Sequence, residues 1–200
     1  MNRRLTLLLC LKDRSEYSKS WIANNIYEEF EYIVADGSAD NKNQIIFNSN
    51  KNKNVKYIKY SFDKDIKTYI TKVIDALNKV NTPYVMRVDN DDILVKEGLN
   101  LCIKTLDKEP NYKIAQANIR GIFMKSHTLE DPKYVCVPGL KEDFKDLVNL
   151  NGMDGIKNVM SPYRQLWYGI YAIDVYKDIW SNILESEINN IFLLEFLQSQ

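Results

Sequence analysis

The sequence predicts an α/β fold with a mostly parallel central sheet covered by helices on both faces, and three observations carry that prediction. Segments 5–11, 32–35 and 84–88 are short, continuous apolar runs, as expected of strands buried on both sides. Residues 65–80 place Ile66, Ile70, Val73, Ile74 and Leu77 at helical spacing. Strand and helix patterns alternate through the first half, and repeated β-α-β units lay their strands side by side in parallel.

Taken in order, 5–11 (Leu-Thr-Leu-Leu-Leu-Cys-Leu) is the first strand. A signal peptide would need a longer apolar run and a small-residue cleavage site, whereas this run passes straight into Lys12-Asp13-Arg14. Residues 15–30 predict a helix capped by Ser15, with Trp21, Ile22, Asn25 and Ile26 on a rough stripe. A second strand over 32–35 ends at Asp36-Gly37-Ser38, where glycine is expected to supply a positive φ. A short helix over 40–49, a polar Lys/Asn loop, a strand over 55–60 and the helix over 65–80 lead to the strand 84–88. Beyond Asp92 the rhythm changes. A helix over 94–106 precedes a long strand over 113–123 and a stretch over 125–165 punctuated by Pro132, Pro138, Gly139, Gly152, Gly155 and Pro162. Another apolar strand over 166–173 and one or two helices over 175–197 complete the chain. The last residues stop within an amphipathic pattern without a stop signal, so a longer domain is expected.

Composition narrows the function. With 200 residues, 45% apolar and 27% charged, the chain suits one globular domain. Lys plus Arg and Asp plus Glu balance at 27 each, so no global field draws in nucleic acid. Cys10, Cys102 and Cys136 lie far apart, and Cys10 and Cys102 read as buried thiols in a reducing, cytoplasmic setting. One histidine, His127, and no Cys pair argue against zinc. No apolar stretch approaches the ~20 residues of a membrane span, and peripheral association with the inner face of the membrane stays open.

The most informative segment is 84–94. Its apolar strand ends in Asp89-Asn90-Asp91-Asp92, three carboxylates in four positions. They repel each other unless a hard cation sits between them, and such ions take oxygen ligands, often from carboxylates plus phosphates. An Asx turn capping the next helix is the plain alternative. An EF-hand is excluded because its sixth position would be Leu94. Asp36-Gly37-Ser38 and Lys12-Asp13-Arg14 end two other strands, and open α/β sheets bind ligands beyond those carboxyl ends.

Together these segments resemble the GT-A glycosyltransferases, family 2-like. The resemblance rests on 5–11 running into Lys12-Asp13-Arg14, on Ala35-Asp36-Gly37-Ser38, and on Arg87-Val88-Asp89-Asn90-Asp91-Asp92. It implies a Rossmann-like three-layer α/β/α sandwich, with residues 1–92 as the donor-binding half and 93–200 as the acceptor side. It also implies a nucleotide-sugar donor, a glycan or lipid-linked hydroxyl acceptor, and Mn²⁺ or Mg²⁺, in a setting such as surface-polysaccharide assembly. Asp13, Arg14, Asp36, Ser38, Arg87 and Asp89 would serve the donor, and Asp89 and Asp91 the metal-diphosphate. An inverting mechanism needs a carboxylate base, for which Glu195 fits the family pattern best, with Glu185, Glu187 and Asp154 behind it. Tyr163, Arg164, Trp167 and Tyr168 could face a sugar or phosphate, or lie in the core; Trp21 and Trp180 read as core. Two alternatives stay open: a non-catalytic module of the same fold, and a nucleotidyltransferase. The latter would want a glycine-rich loop that residues 12–20 lack.

Overall fold

The computed structural model describes residues 3–124, 134–142, 157 and 166–187. The strands are β1 (Leu5–Leu11), β2 (Glu31–Asp36), β3 (Val55–Lys59), β4 (Tyr84–Val88), β5 (Ile114–Ala115), β6 (Ile119–Met124), β7 (Tyr134–Glu142) and β8 (Ile170–Ala172). The helices are α1 (Ser15–Asn25), α2 (Lys42–Ser49), α3 (Ile66–Leu77), α4 (Lys96–Lys108) and α5 (Ile173–Glu185), with a 3-10 turn at Leu166–Tyr168. The main sheet has the order β3-β2-β1-β4-β8-β5. Strands β1, β2, β3 and β4 pair in parallel, while β8 is antiparallel to both neighbours.

The continuous apolar run of β1 is explained by what lies on each side. Leu5, Leu7, Leu9 and Leu11 pack with Trp21, Phe47, Leu99, Ile103 and Leu106 from α1, α2 and α4. Leu8 and Cys10 point the other way, against Ile70, Val73 and Leu77 of α3 and Tyr176 and Trp180 of α5. A period-2 strand with both faces covered reads as unbroken hydrophobicity. Trp21, Trp180, Cys10 and Cys102 are core residues, as the sequence indicates.

Four sequence expectations need correction. The first helix stops at Asn25 rather than near 30, because the Tyr32 hydroxyl donates to the Asn25 carbonyl (2.7 Å) and accepts from the Tyr27 N–H (2.9 Å). This tertiary stop leaves no mark on the local sequence. Ser15 does not cap α1; Arg14 takes that position, with φ of 53° and no side-chain cap bond. The long strand over 113–123 is two strands in two sheets: β5 joins β8, whereas β6 pairs with β7. The 166–173 strand shortens to β8 because a 3-10 turn precedes it. Pro138 and Gly139 lie in β7 opposite a register shift, where missing or misaligned ladder bonds are tolerated.

Candidate functional site

Parallel pairing in the order β2-β1-β4 brings three turns to one edge of the sheet: Lys12-Asp13-Arg14, Asp36-Gly37-Ser38 and Asp89-Asn90-Asp91-Asp92. A buried polar network stitches them together. The Asp13 N–H donates to Ser38 Oγ (2.6 Å), and Asn43 Nδ2 donates to Asp13 O (3.0 Å) and Ser38 Oγ (3.2 Å). Ser18 Oγ donates to Asn43 Oδ1 (2.6 Å), and Asn90 Nδ2 donates to Arg14 O (2.9 Å). Asp13 and Arg14 both hold left-handed backbone, at φ of 58° and 53°, a conformation uncommon for non-glycine residues and concentrated at functional sites.

Asp36 is fully buried, and both of its oxygens are engaged. Oδ1 accepts from the Ser38 N–H (2.8 Å) and hydroxyl; Oδ2 accepts from the Tyr57 hydroxyl and from Lys59 Nζ (3.3 Å). Lys59 also donates to Ser38 O (2.7 Å) and Asp40 O (2.6 Å), placing a partly exposed ammonium beside this turn. Tyr57 and Lys59 stand two apart in β3 and so share a face.

Gly37 has a different role from the one its sequence context suggests. Its φ lies outside the left-handed range; instead a Cβ there would run into the Asp63 carboxylate. Asp63 cannot yield easily, because its N–H donates to Gly37 O (3.0 Å) and its side chain is ion-paired with buried Lys72. Gly37→Ala should therefore lower stability by about 1–3 kcal/mol through overpacking. Urea unfolding checks this, and a cost near zero would mean that Asp63 can move aside.

The acidic turn does not cap the following helix: α4 begins at Lys96, with Val95 at its N-cap and no side-chain cap bond. Asp89 accepts a two-pronged contact from Arg87, Nη2 to Oδ1 at 2.7 Å and Nη1 to Oδ2 at 3.3 Å, and a bond from the Tyr168 hydroxyl (3.3 Å). Asp91 pairs with Arg14 (2.7 Å), both side chains being largely open to solvent. Asp92 Oδ2 is buried without a hydrogen-bond partner. Burial, followed by the neighbouring charges of Asp89 and Asp91, pushes the Asp92 carboxyl up to about 7.

That shift has a signed consequence. The folded chain holds the Asp92 proton more tightly than the unfolded chain, so this contribution is complete below pH ~4 and is lost as pH rises toward 7. Wild type should lose stability between pH 5 and pH 8 that Asp92→Asn does not lose. Urea midpoints at the two pH values measure it, and parallel curves for the two proteins would contradict it.

Among the described residues, no three His, Cys, Asp or Glu side chains converge as a protein-only metal cage. The turn nevertheless fits an ion that takes one or two carboxylates and completes its shell with phosphate and water. Asp91 is accessible and Asp92 has an orphaned oxygen; a cation would offset the Asp89 and Asp91 charges that add to burial in raising the Asp92 pKa.

Of the predicted site residues, Asp13, Arg14, Asp36, Ser38, Arg87, Asp89 and Asp91 all lie at this edge, with Asp36 and Ser38 turned into the internal network. Trp167 is buried and Tyr168 reaches Asp89, tying the late segment to the turn. Glu185 closes α5, and Glu187 has φ of 52°. Glu195, Asp154, His127, Cys136, Tyr163 and Arg164 lie outside the residues whose side chains are described. Sequence reasoning missed Ser18, Asn43, Tyr57, Lys59, Asp63 and Lys72. Only Tyr57 and Lys59 carried a signal, through their shared strand face.

Beside the turn lies a small open cleft of about 110 Å³, bounded by Tyr17, Ser20 and Asn24 of α1, by Asp91 and Asp92, and by Ile122 of β6. Its mixture of amide, hydroxyl, carboxylate and aliphatic groups is chemically suited to a polyhydroxylated ligand. No helix among the described residues is long and apolar enough to cross a membrane.

No protein-family model matches the chain, and no curated protein matches it by sequence. Solved structures do match in fold. The S. aureus TarS 1–349 structure superposes with a TM-score of 0.54 at 18% identity, over 88% of this chain and 48% of that one. The same fragment in complex with UDP gives 0.52 at 18% identity, and in complex with UDP-GlcNAc 0.51 at 19% identity. This chain thus spans about half the length of those TarS fragments. TarS is a glycosyltransferase of the GT-A type, and the α/β fold expected from the sequence is the fold found.

Proposed function

We propose that this protein is a metal-dependent glycosyltransferase that takes its sugar from a nucleotide donor, of which a uridine diphosphate sugar is the first to test. The observation that carries this reading is the convergence of three strand-end turns on one edge, with Arg14, Asp89, Asp91 and Asp92 gathered there. UDP and UDP-GlcNAc complexes of a protein with the same fold supply the donor class.

Asp91 and Asp92 would hold Mn²⁺ or Mg²⁺ against the donor diphosphate. The accessibility of Asp91 and the orphaned oxygen of Asp92 favour them over Asp89, which Arg87 and Tyr168 already occupy. When bound, the cation would act as a Lewis acid for the departing diphosphate. The chain's own groups have separate tasks. Arg14 and Lys59 supply positive charge on either side of the β1 end, suited to phosphate and to the polar rim of a nucleoside. The Asp36 nest fixes the backbone of the Gly37-Ser38 turn, whose own main-chain groups are already bonded within the protein. An acceptor hydroxyl of a glycan or lipid-linked glycan belongs to the same reading, and so does inversion through a carboxylate base. Glu195 remains the sequence candidate for that base on family resemblance alone.

The test is release of nucleoside diphosphate from a panel of UDP-, GDP- and CDP-sugars, with Mn²⁺ and with chelator. Metal-dependent release from one donor class supports the reading. A folded protein that turns over none of them, yet binds a nucleotide, would instead be a binding module of the same fold.

A further inference from the structure

Resting on that donor-site reading, we propose that Arg87 is a positioning residue: the guanidinium, held by Trp167 and Tyr69, sets Asp89 and through it the turn that presents Asp91 and Asp92. A donor contact by Arg87 itself is the role the family resemblance implies. The geometry leaves it little freedom to serve that role.

Arg87 is the penultimate residue of β4 and its side chain is only 8% exposed. The guanidinium carbon lies 3.8 Å from the centroid of the Trp167 ring, a stacked cation–π contact. Nε donates to the Tyr69 hydroxyl of α3 (3.0 Å), while Nη1 and Nη2 fork onto the two Asp89 oxygens. The group is thus bounded by an aromatic face, a phenol and a carboxylate; each of its three nitrogens already donates to one of the latter two, and its side chain is almost closed to solvent. Asp89 in turn is fixed at three points: the two guanidinium nitrogens and the Tyr168 hydroxyl. The Asp89 carbonyl accepts from the Asp92 N–H (3.4 Å), so the orientation of Asp89 passes into the main chain carrying Asp91 and Asp92.

Two of the clamping groups, Trp167 and Tyr168, come from the 3-10 turn before β8, some eighty residues after the acidic turn. Strand β8 pairs with β4, and this pairing brings the aromatic turn over Arg87. Trp167 and Tyr168 therefore complete the donor edge by fixing a carboxylate. Lysine could not replace this arginine, because a single ammonium neither forks onto a carboxylate nor stacks flat on an indole.

A double-mutant cycle separates the roles. Affinity for UDP, GDP and CDP is measured calorimetrically with Mn²⁺ and with EDTA for wild type, Arg87→Lys, Asp89→Asn and the double variant. Melting curves confirm folding. Arg87→Lys should weaken the Mn²⁺-dependent affinity ~10–100-fold, the usual cost of losing a partner that orients a ligand. It should leave the weak metal-free binding unchanged, and on the Asp89→Asn background it should add nothing. Equal, additive losses in both backgrounds would make Arg87 a direct donor contact and overturn the proposal. Unchanged affinity in Arg87→Lys would overturn it as well. Trp167→Leu and Trp167→Phe provide a second route that leaves the turn intact. The Leu variant should show the same Mn²⁺-specific loss and the Phe variant should recover most of it; equal behaviour of the two would count against the clamp. If wild type binds no nucleoside diphosphate, the donor-site reading falls and this proposal falls with it. If wild type binds and the cycle is additive, the proposal falls alone.

Discussion

Asp91→Ala should abolish the metal-dependent part of nucleotide binding, a loss of at least ~10-fold and up to ~100-fold in affinity, while leaving the melting temperature nearly unchanged. Asp91 is the turn's accessible carboxylate, paired among the described residues with an open Arg14, and exposed pairs of this kind contribute ~0–1 kcal/mol to stability. Removing it costs the fold little, yet takes away a hard oxygen ligand from the one edge where strand-end charge accumulates. It also frees Arg14, so metal-free affinity for a diphosphate should hold or rise slightly. Titration of the variant with and without Mn²⁺ gives the answer. Equal loss in both conditions would mean that Asp91 acts on the nucleotide rather than on a cation.

Lys72→Met should have the largest effect on stability, about 3–5 kcal/mol. Lys72 and Asp63 are both almost fully buried, at 1% and 2% side-chain exposure, and they form an ion pair behind the site. Lys72 Nζ also donates to Leu11 O (2.9 Å), the carbonyl that accepts from the Gly37 N–H (2.9 Å). A single ammonium therefore ties α3 to the end of β1 and, through Asp63, to the Asp36-Gly37-Ser38 turn. Removing it leaves Asp63 charged in a dry environment, with an Oδ1 that already lacks a partner. Pairing Lys72→Met with Asp63→Asn should recover much of the loss, since the uncompensated charge is then gone. Urea denaturation measures both variants, and a cost below about 1 kcal/mol for Lys72→Met would mean that water reaches the pair.

What the sequence made legible follows from which physical signals are local. The strands Leu5–Leu11 and Tyr84–Val88 are readable to the residue because both faces are buried, giving mainly apolar runs, interrupted by Thr6 and Arg87, with polar ends. The edge itself was readable because parallel β-α-β order forces the turns after β1, β2 and β4 to the same side. The end of α1 was not readable, because the Tyr32 hydroxyl that stops it arrives from the next strand. The split between β5 and β6 was hidden for the same reason: apolar content cannot say which partner strand each half will find. Within the site, carboxylates announced themselves through their clustering, whereas Asn43, Ser18 and Lys72 look like ordinary helix residues until the helices are packed. Gly37 was noticed for the wrong reason, because the constraint on it comes from Asp63 rather than from its own backbone.

The most direct measurement is calorimetric titration of the folded wild-type chain with UDP, GDP and CDP, in Mn²⁺ and again in EDTA. Saturable binding of one nucleoside diphosphate that is strong with Mn²⁺ and largely lost on chelation is the expected result. It would place a donor diphosphate and its cation at the strand-end edge. A folded protein that binds none of the three in either condition would contradict the central claim, and the acidic turn would then be a structural junction between β4 and α4.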